Sequence, residues 1–220
     1  MALTTIQKDL IFGTLLGDGN LQTFSNGKTW RYRALQTADH ECYLLHKYGV
    51  LQSLCNSPPA HGSTTDERTG KTYTRVYFNT LVTPSFNFYA NMFYTYDPVK
   101  QHWVKDVPLR VEKFLTARAV AYWYMDDGSI KSVGKSNGMR ICTESFSYDG
   151  VNRLKAALET NFGIVTTLTK KTKTVNGVKV LIGHRMTIPE KSSTAFRQLI
   201  EPYLVDCMRY KVSDGNRGRL

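Results

Sequence analysis

The sequence predicts an α+β fold, within the broader α/β class, made of two pseudo-symmetric αββαββα units with antiparallel sheets. Two observations carry this prediction. An apolar, helix-favouring stretch that ends in Asp-Gly occurs twice, at residues 6–20 and 116–130, and its aspartates are 127 − 18 = 109 residues apart. The segments that follow each copy alternate between strand-like and helical patterns in the same order. The chain therefore repeats one supersecondary unit.

The opening helix of each unit has start and stop signals. Thr5 and Thr116 precede the apolar stretches and are expected to act as N-caps. Gly19 and Gly128 follow the two aspartates and are expected to adopt the left-handed conformation that ends many helices. The aspartates Asp18 and Asp127 are therefore predicted at equivalent helix C-termini.

The remaining elements also occur in matching pairs. Each unit continues with two strands, a helix, a two-stranded hairpin and a closing helix. The hairpins are predicted at Thr69-Gly70 and at Asn176-Gly177, and Asn-Gly is a strong hairpin signal. The strands are predicted at 30–37 and 139–146, the middle helices at 43–54 and 150–162, and the closing helices at 85–96 and 193–204. These boundaries predict a first unit at 1–98, a linker at 99–115 and a second unit at 116–220.

Small residues indicate how the two units meet. Gly13 and Gly17 are four apart on the first helix, and Ala117, Ala121 and Met125 have the same spacing on the second. Facing stripes of small residues allow close helix packing. This packing brings two carboxylates together at helix C-termini, where the helix dipole disfavours negative charge. A divalent cation with oxygen ligands, such as Mg²⁺, resolves both problems.

The composition favours a polyanion as the partner. The chain of 220 residues has a formal net charge of +11, and 41% of its residues are hydrophobic. This is a globular composition, and no apolar run is long enough to span a membrane. The four cysteines are far apart and predict neither a zinc site nor a disulfide framework. The N-terminal stretch is interpreted as the first helix of the fold and not as a signal peptide.

A single Gly-Asp-Gly after a helix is usually only a turn, but two copies at matching positions in a basic chain favour a functional site. The segments LIFGTLLGDG and VAYWYMDDG resemble the two LAGLIDADG motifs of homing endonucleases. WVKDVP, TESF and LIEPYLVDCMRYKV extend the resemblance over roughly residues 5–212, to the single-chain branch with two motifs. The resemblance implies a DNA-binding saddle of two sheets, motif helices at the interface, and cleavage of both strands with short 3′ overhangs.

The resemblance also implies a set of catalytic residues. Asp18 and Asp127 are the metal ligands, and the residues before them, Gly17 and Asp126, complete the candidate metal-binding set; Asp126 fills the penultimate motif position and not that of the ligand aspartate. Two lysines match family positions beside the scissile phosphates, namely Lys105 in WVKDVP and Lys211 in RYKV. Their spacing from the aspartates is similar, at 105 − 18 = 87 and 211 − 127 = 84 residues. A solvated surface role is the ordinary interpretation of either lysine alone, and their pairing favours catalysis.

A polar residue, often glutamine, ends the second strand beside the metals in this family. Gln36 fits that position, and the equivalent residue of the second half is predicted to be Glu144. Glu144 would add negative charge next to a metal, and a solvated glutamate in a strand is an equally good interpretation.

Basic and aromatic residues of the predicted strands and turns form the candidate DNA-reading set. A two-stranded ribbon fits the major groove, and arginine can bind guanine edges with two hydrogen bonds. Strand alternation places Val76 and Phe78 toward the core, opposite the reading residues of the first hairpin. The candidates in the first unit are Arg31, Arg33, Lys71, Tyr73 and Arg75, and those in the second are Lys131, Lys135, Arg140, Lys171, Lys173, Lys179 and Arg185.

These predictions together describe a monomeric, Mg²⁺-dependent homing endonuclease, for which Mn²⁺ is expected to substitute and Ca²⁺ to bind without cleavage. Its partner is double-stranded DNA, with no membrane and no protein partner. The alternatives are an RNA-binding intron maturase on the same fold and a DNA-binding protein without activity. The intact aspartate and lysine pairs favour cleavage. An intron product encoded in a mitochondrion or chloroplast would need no transit peptide, so an organelle is the expected compartment.

Overall fold

The structure is a computed structural model that describes residues 2–213. Two units of identical element order make up most of the chain. The first unit contains α1 (Thr5–Leu15), β1 (Asn20–Gln22), β2 (Arg31–Thr37), α2 (Glu41–Leu51), β3 (Ala60–Thr65), β4 (Thr72–Asn79) and α3 (Pro84–Phe93). A hairpin of β5 (Tyr94–Asp97) and β6 (His102–Lys105) follows. The second unit contains α4 (Ala117–Asp127), β7 (Gly128–Ser132), β8 (Ser136–Ile141), α5 (Tyr148–Phe162), β9 (Thr167–Val175), β10 (Val178–Ile188) and α6 (Glu190–Ile200).

The predicted fold is confirmed. Each unit forms a four-stranded antiparallel sheet, with the strand orders β1-β2-β4-β3 and β7-β8-β10-β9. The helices pack on one face of each sheet, so that β2 and the second half of β4 alternate buried and accessible residues. The hairpin of β5 and β6 was not anticipated, and β6 lies within the segment that the sequence predicts as a linker.

Helices α1 and α4 pack against each other at the centre of the molecule. A Cβ atom built on Gly13 would lie 2.2 Å from the carbonyl oxygen of Ala119, and one built on Gly17 would lie 2.5 Å from the Cβ of Asp126. Neither position has room for a side chain, which is the reason for the glycines. The facing stripe on α4 is thus Ala119, Tyr122 and Asp126. The prediction of Ala117, Ala121 and Met125 was wrong, because the spacing of small residues does not fix which face of a buried helix meets its partner.

Two of the predicted helix signals also differ in detail. Thr4 and not Thr5 is the N-cap of α1, where it forms a capping box with Gln7. Thr116 caps α4, as predicted. Gly128 has a φ of −82°, and Gly19 is not among the residues of positive φ, so neither ends its helix in the left-handed conformation.

The predicted turns occur where the sequence places them, and one covalent link was not expected. Asn176 and Gly177 have φ values of 50° and 80°, which suit a tight hairpin. Cys42 of α2 and Cys207 near the C-terminus form a disulfide with Cα atoms 6.6 Å apart. This link joins the two units and corrects the expectation that the cysteines form no disulfide framework. The pair was not predicted because 165 residues separate the partners in sequence. Within residues 2–213, no helix is long and apolar enough to cross a membrane.

Candidate active site

The two motif aspartates come together where α1 and α4 end. Asp18 is exposed just beyond the end of α1, and Asp127 is the last residue of α4 and largely buried. The pKa of Asp127 is raised to about 8. Burial is the largest cause, and the negative charges of Asp18 and Asp126 add to it. Lys105 and Lys211 oppose this shift. Two carboxylates thus share a place where negative charge is unfavourable, as the repeat predicts.

The donor atoms at this place fit a hard divalent cation. Asp18 and Asp127 offer carboxylate oxygens, and the main-chain carbonyl oxygens of Gly17 and Asp126 already accept hydrogen bonds from lysine ammonium groups. Among residues 2–213, no cluster of three or more His, Cys, Asp or Glu side chains is placed to chelate a metal. A cation here would therefore need water and phosphate oxygens to complete its coordination, which is typical of Mg²⁺ in phosphoryl-transfer sites.

The two predicted lysines occupy equivalent positions in the two halves. Lys105 at the end of β6 donates to the carbonyl oxygens of Gly17 at 3.0 Å and Gly19 at 3.1 Å. Lys211, in a 3₁₀ turn over Asp206–Lys211, donates to the carbonyl oxygens of Met125 and of Asp126, the latter at 2.8 Å. Each ammonium group thus lies against the main chain that carries one aspartate.

Both lysines are partly buried, and their ammonium groups are bonded to main-chain carbonyl oxygens. Burial lowers the pKa of Lys105 and of Lys211, and the nearby aspartates oppose that shift. Solvated surface lysines do not have this environment. The structure therefore favours an active-site location over the surface role that was the ordinary interpretation of each lysine alone.

The strand-end position differs between the halves. The Gln36 amide donates to the carboxylate of Asp18 at 3.0 Å. Arg33 pairs with Asn20 and Arg140 pairs with Ser129, and both partners lie two residues after their motif aspartate. Gln36 lies three residues after Arg33, so its equivalent in the second half lies three residues after Arg140 and is Thr143.

The assignment of Glu144 to this position was wrong by one residue. Thr143 is fully buried, and its hydroxyl donates to the carbonyl oxygen of His184 and accepts the N–H of Met186, so it is bonded within its own sheet. Glu144 forms an ion pair with Arg185 instead. Among residues 2–213, a side-chain amide is therefore bonded to the motif aspartate in the first half and not in the second.

The candidate metal residues Gly17 and Asp126 contribute differently from the ligand aspartates. Gly17 has only its carbonyl oxygen to offer. The Asp126 side chain is 0% exposed, and both of its oxygens are engaged, one by Lys47 at 2.6 Å and the other by the amide of Asp18 at 3.1 Å. The Asp126 carboxylate is therefore already occupied, which agrees with its penultimate position in the motif. The oxygen that this residue could offer a cation is its main-chain carbonyl oxygen, which also accepts from Lys211.

Lys47 is the residue of this region that the sequence analysis missed. It lies on α2 of the first unit, is 1% exposed, and its ammonium group lies 4.1 Å from the ring centroid of Tyr43. One signal pointed to it: Lys47 shares the buried face of α2 with Tyr43, Leu44 and Leu51. A lysine in the middle of an apolar stripe requires a buried partner.

The first sheet presents its predicted DNA-reading residues on one open face. Arg33 pairs with Asn79 and Thr37 with Arg75, and paired residues share a face of the sheet. Val76 and Phe78 point to the helices, as predicted. The residues of the open face include Arg31, Arg33, Tyr73 and Arg75, and Lys71, one residue before β4, continues the same alternation.

The second sheet presents most, but not all, of its predicted residues in the same way. Lys171 and Lys173 of β9 alternate with residues of the helix side, and Arg140 donates to Ser129 on the open face. Lys131 lies in β7 one residue before its end, and Lys135 lies in the turn between β7 and β8. Arg185 shares the open face but is held by Glu144.

Lys179 is the exception. A β-bulge between Leu181 and Gly183 shifts the alternation of β10, so that Lys179 pairs with Thr174 on the opposite face to Lys171 and Lys173. The register therefore removes Lys179 from the open surface. Gly183, with a φ of 148°, lies at the bulge.

Comparison with known proteins gives consistent matches. Residues 8–196 match the LAGLIDADG DNA endonuclease family. The chain is 59% identical to the DNA endonuclease I-ChuI of Chlamydomonas applanata, over 100% of both chains. It is 28% identical to the cytochrome b mRNA maturase bI2 of Saccharomyces cerevisiae, over 93% of this chain but only 47% of that protein.

Solved structures show the same fold. The homing endonuclease I-WcaI bound to its DNA recognition sequence has a TM-score of 0.82 at 21% identity, over 98% of this chain and 89% of that one. The homing endonuclease I-DmoI with DNA and Ca has a TM-score of 0.52 at 15% identity, over 90% of this chain and 91% of that one. A complex of an I-DmoI variant with nicked target DNA in the presence of Mn has a TM-score of 0.53 at 15% identity, over 93% of this chain and 100% of that one.

Proposed function

The chain belongs to the LAGLIDADG DNA endonuclease family and is a DNA homing endonuclease, and we propose that it cuts both strands of one long duplex target by Mg²⁺-dependent hydrolysis. One observation carries the finer proposal. Asp18 and Asp127 lie at the crossing of α1 and α4, and a lysine from each half is bonded to the main chain beside its own aspartate. The two halves thus provide one set of groups for each strand. Short 3′ overhangs remain the expectation from the family.

The proposed cleavage assigns a task to each group of this chain. Asp18 and Asp127, with the carbonyl oxygens of Gly17 and Asp126, would hold the cations, and Mg²⁺ when bound would polarise the phosphate and lower the pKa of a water nucleophile. Lys105 and Lys211 bind a phosphate oxygen and stabilise the charge that develops in the transition state. The Gln36 amide orients the carboxylate of Asp18.

The target is best identified by cutting a library of random duplexes in the presence of Mg²⁺. We expect one family of cut sites that are long and at most imperfectly palindromic, because the two open faces carry different residues. Cleavage without sequence preference, or no cleavage, would contradict the proposal.

The similarity to a maturase supports a second candidate function, RNA binding in splicing. A protein that cuts no DNA duplex but binds intron RNA would support this second candidate. We also propose an organelle as the compartment.

We expect affinity for the target to fall steeply with salt, because a chain of net charge +11 must displace counterions from several phosphates. The logarithm of affinity against that of salt should have a slope of several units. The double variant Lys171→Ala/Lys173→Ala should reduce the slope by about 2, at roughly 0.9 per phosphate contact. Lys179→Ala, on the opposite face, is the matched control and should leave it unchanged. A nearly flat salt response of the wild type would count against DNA as the partner.

We expect one chain per duplex target, because α1 and α4 already pair within a single chain. Sedimentation of the complex with the selected target should give the mass of one protein and one duplex. Two chains per duplex would show that the two units do not read the two half-sites together.

A further inference from the structure

The buried ion pair between Lys47 and Asp126 joins the two units beside the active site. Lys47 belongs to α2 of the first unit and Asp126 to α4 of the second, and their side chains are 1% and 0% exposed. The Lys47 ammonium lies 2.6 Å from one oxygen of Asp126, and the other oxygen accepts the main-chain N–H of Asp18 at 3.1 Å. Lys47 of the first unit is thus bonded to Asp126 of the second unit, and Asp126 is bonded in turn to the main chain of Asp18 in the first.

The corresponding place in the other half has no such pair. Asp126 is equivalent to Gly17, because 126 − 17 = 109 is also the spacing of the motif aspartates. The buried residues Tyr43, Leu44, Lys47 and Leu51 of α2 match Gly150, Val151, Leu154 and Leu158 of α5 at a constant offset of 107. Lys47 is thus equivalent to Leu154. Glycine and leucine fill this place in one half, so the fold itself does not require an ion pair in the other.

Stability does not account for the pair either. Removing two charges from water costs several kcal/mol for each ion, and apolar residues of similar volume often serve equally well. The Asp127 main chain is held without the pair, since its carbonyl oxygen accepts the N–H of Cys142 at 3.1 Å and its own N–H lies within α4. The chain past the end of α1 is held on both sides of Asp18, since the N–H groups of Gly17 and Gly19 donate to the Thr14 carbonyl oxygen. The main-chain N–H of Asp18 itself, however, is bonded across the interface to Asp126.

We propose that Lys47 is a positioning residue for Asp18: by fixing one oxygen of Asp126, it aims the other at the Asp18 amide and so sets the place of the first metal ligand. This inference rests on the proposed function and deepens it. It predicts unequal effects on the two strands, because Asp18 depends on the pair and Asp127 does not.

The test uses Lys47→Met, which keeps most of the side-chain volume and removes the charge. Ca²⁺ is titrated calorimetrically into the complex of the protein with its selected target, and cleavage of the two strands is followed with separate labels under single-turnover conditions in Mg²⁺. We expect a Ca²⁺ dissociation constant about 10-fold higher for one cation site. One strand should be cut at least 10-fold more slowly than the other, so that nicked duplex accumulates, with target affinity nearly unchanged.

Arg118→Met is the matched control. Arg118 pairs with Asp9 at 3.2 Å, also between α1 and α4, but near the starts of these helices. This variant should keep equal strand rates and the wild-type Ca²⁺ affinity, even if its melting temperature falls. The same strand asymmetry in Arg118→Met would overturn the proposal, because it would attribute the effect to a weakened interface.

A second variant keeps the proposal testable if Lys47→Met does not fold. Lys47→Leu/Asp126→Gly reproduces the arrangement of Leu154 and Gly17 and leaves no buried charge. We expect it to fold and to show the same Ca²⁺ and strand defects, since the Asp18 amide then has no side-chain acceptor at position 126. Equal strand rates and wild-type Ca²⁺ affinity in either folded variant would overturn the positioning role. If the wild type cuts no duplex, no target is selected and Ca²⁺ is titrated into the protein without DNA. A Ca²⁺ affinity that still falls in Lys47→Met would then mean that the proposed function fails and the positioning role stands.

Discussion

Replacement of either motif aspartate, Asp18→Asn or Asp127→Asn, is expected to abolish double-strand cleavage, with a fall of at least about 1000-fold in the single-turnover rate. The amide keeps the size of the side chain but removes the charge that would hold the cation. Target affinity should stay within a few-fold of wild type, because binding depends on the open faces of the sheets. Band-shift titrations and strand-resolved cleavage measure the two effects separately.

A third carboxylate on the same helices provides the control for this result. Asp9 lies on α1 with a buried side chain paired to Arg118, near the opposite end of the helix from Asp18. Asp9→Asn should lower the melting temperature and leave the cleavage rate of the folded enzyme unchanged. Wild-type cleavage of both strands by Asp18→Asn would remove this residue from the metal site.

Loss of a single lysine, Lys105→Met or Lys211→Met, should slow cleavage by about 10-fold to 1000-fold, equivalent to roughly 1.4–4 kcal/mol of transition-state stabilisation. Each lysine is partly buried and its ammonium group is bonded to the main chain beside one motif, so it is placed to act on charge that develops at a phosphate. Affinity should change much less, since each lysine is one phosphate contact among many.

Single-turnover rates with enzyme in excess distinguish the possible roles, because saturation conceals any loss of binding. A lysine that only grips the DNA backbone would weaken affinity and leave the saturated rate alone. Lys113→Met, on an exposed turn away from the site, is the control and should match wild type in both measurements. Wild-type rates for Lys105→Met and Lys211→Met would leave the aspartates as the only supported catalytic groups.

The parts of the fold and site that the sequence predicted depend on local signals. The paired Asp-Gly motifs, the Thr116 cap and the Asn176-Gly177 turn are each encoded within a few residues. The position of Lys105 was predicted from the family resemblance, because the matched segment WVKDVP has a known place in the family's fold. These features are insensitive to the relative position of distant segments.

The features that were predicted incorrectly depend on register or tertiary packing. Thr143 and not Glu144 corresponds to Gln36, because the equivalence is fixed by strand pairing and a shift of one residue reverses the face. The bulge before Gly183 moved Lys179 to the other face in the same way. Lys47 was missed because its partner lies 79 residues away on another helix, and helical lysines are normally solvated.

The ion pair between Lys47 and Asp126 also determines which protein architectures remain open to this chain. A symmetric dimer of the first unit would bury two Lys47 ammonium groups against Gly17, and a symmetric dimer of the second would bury two Asp126 carboxylates against Leu154. Each uncompensated buried charge costs about 3–5 kcal/mol. The halves are therefore no longer interchangeable parts. Each lacks the complement that only the other supplies, so neither can serve alone as the repeating subunit of a homodimeric nuclease without further substitution.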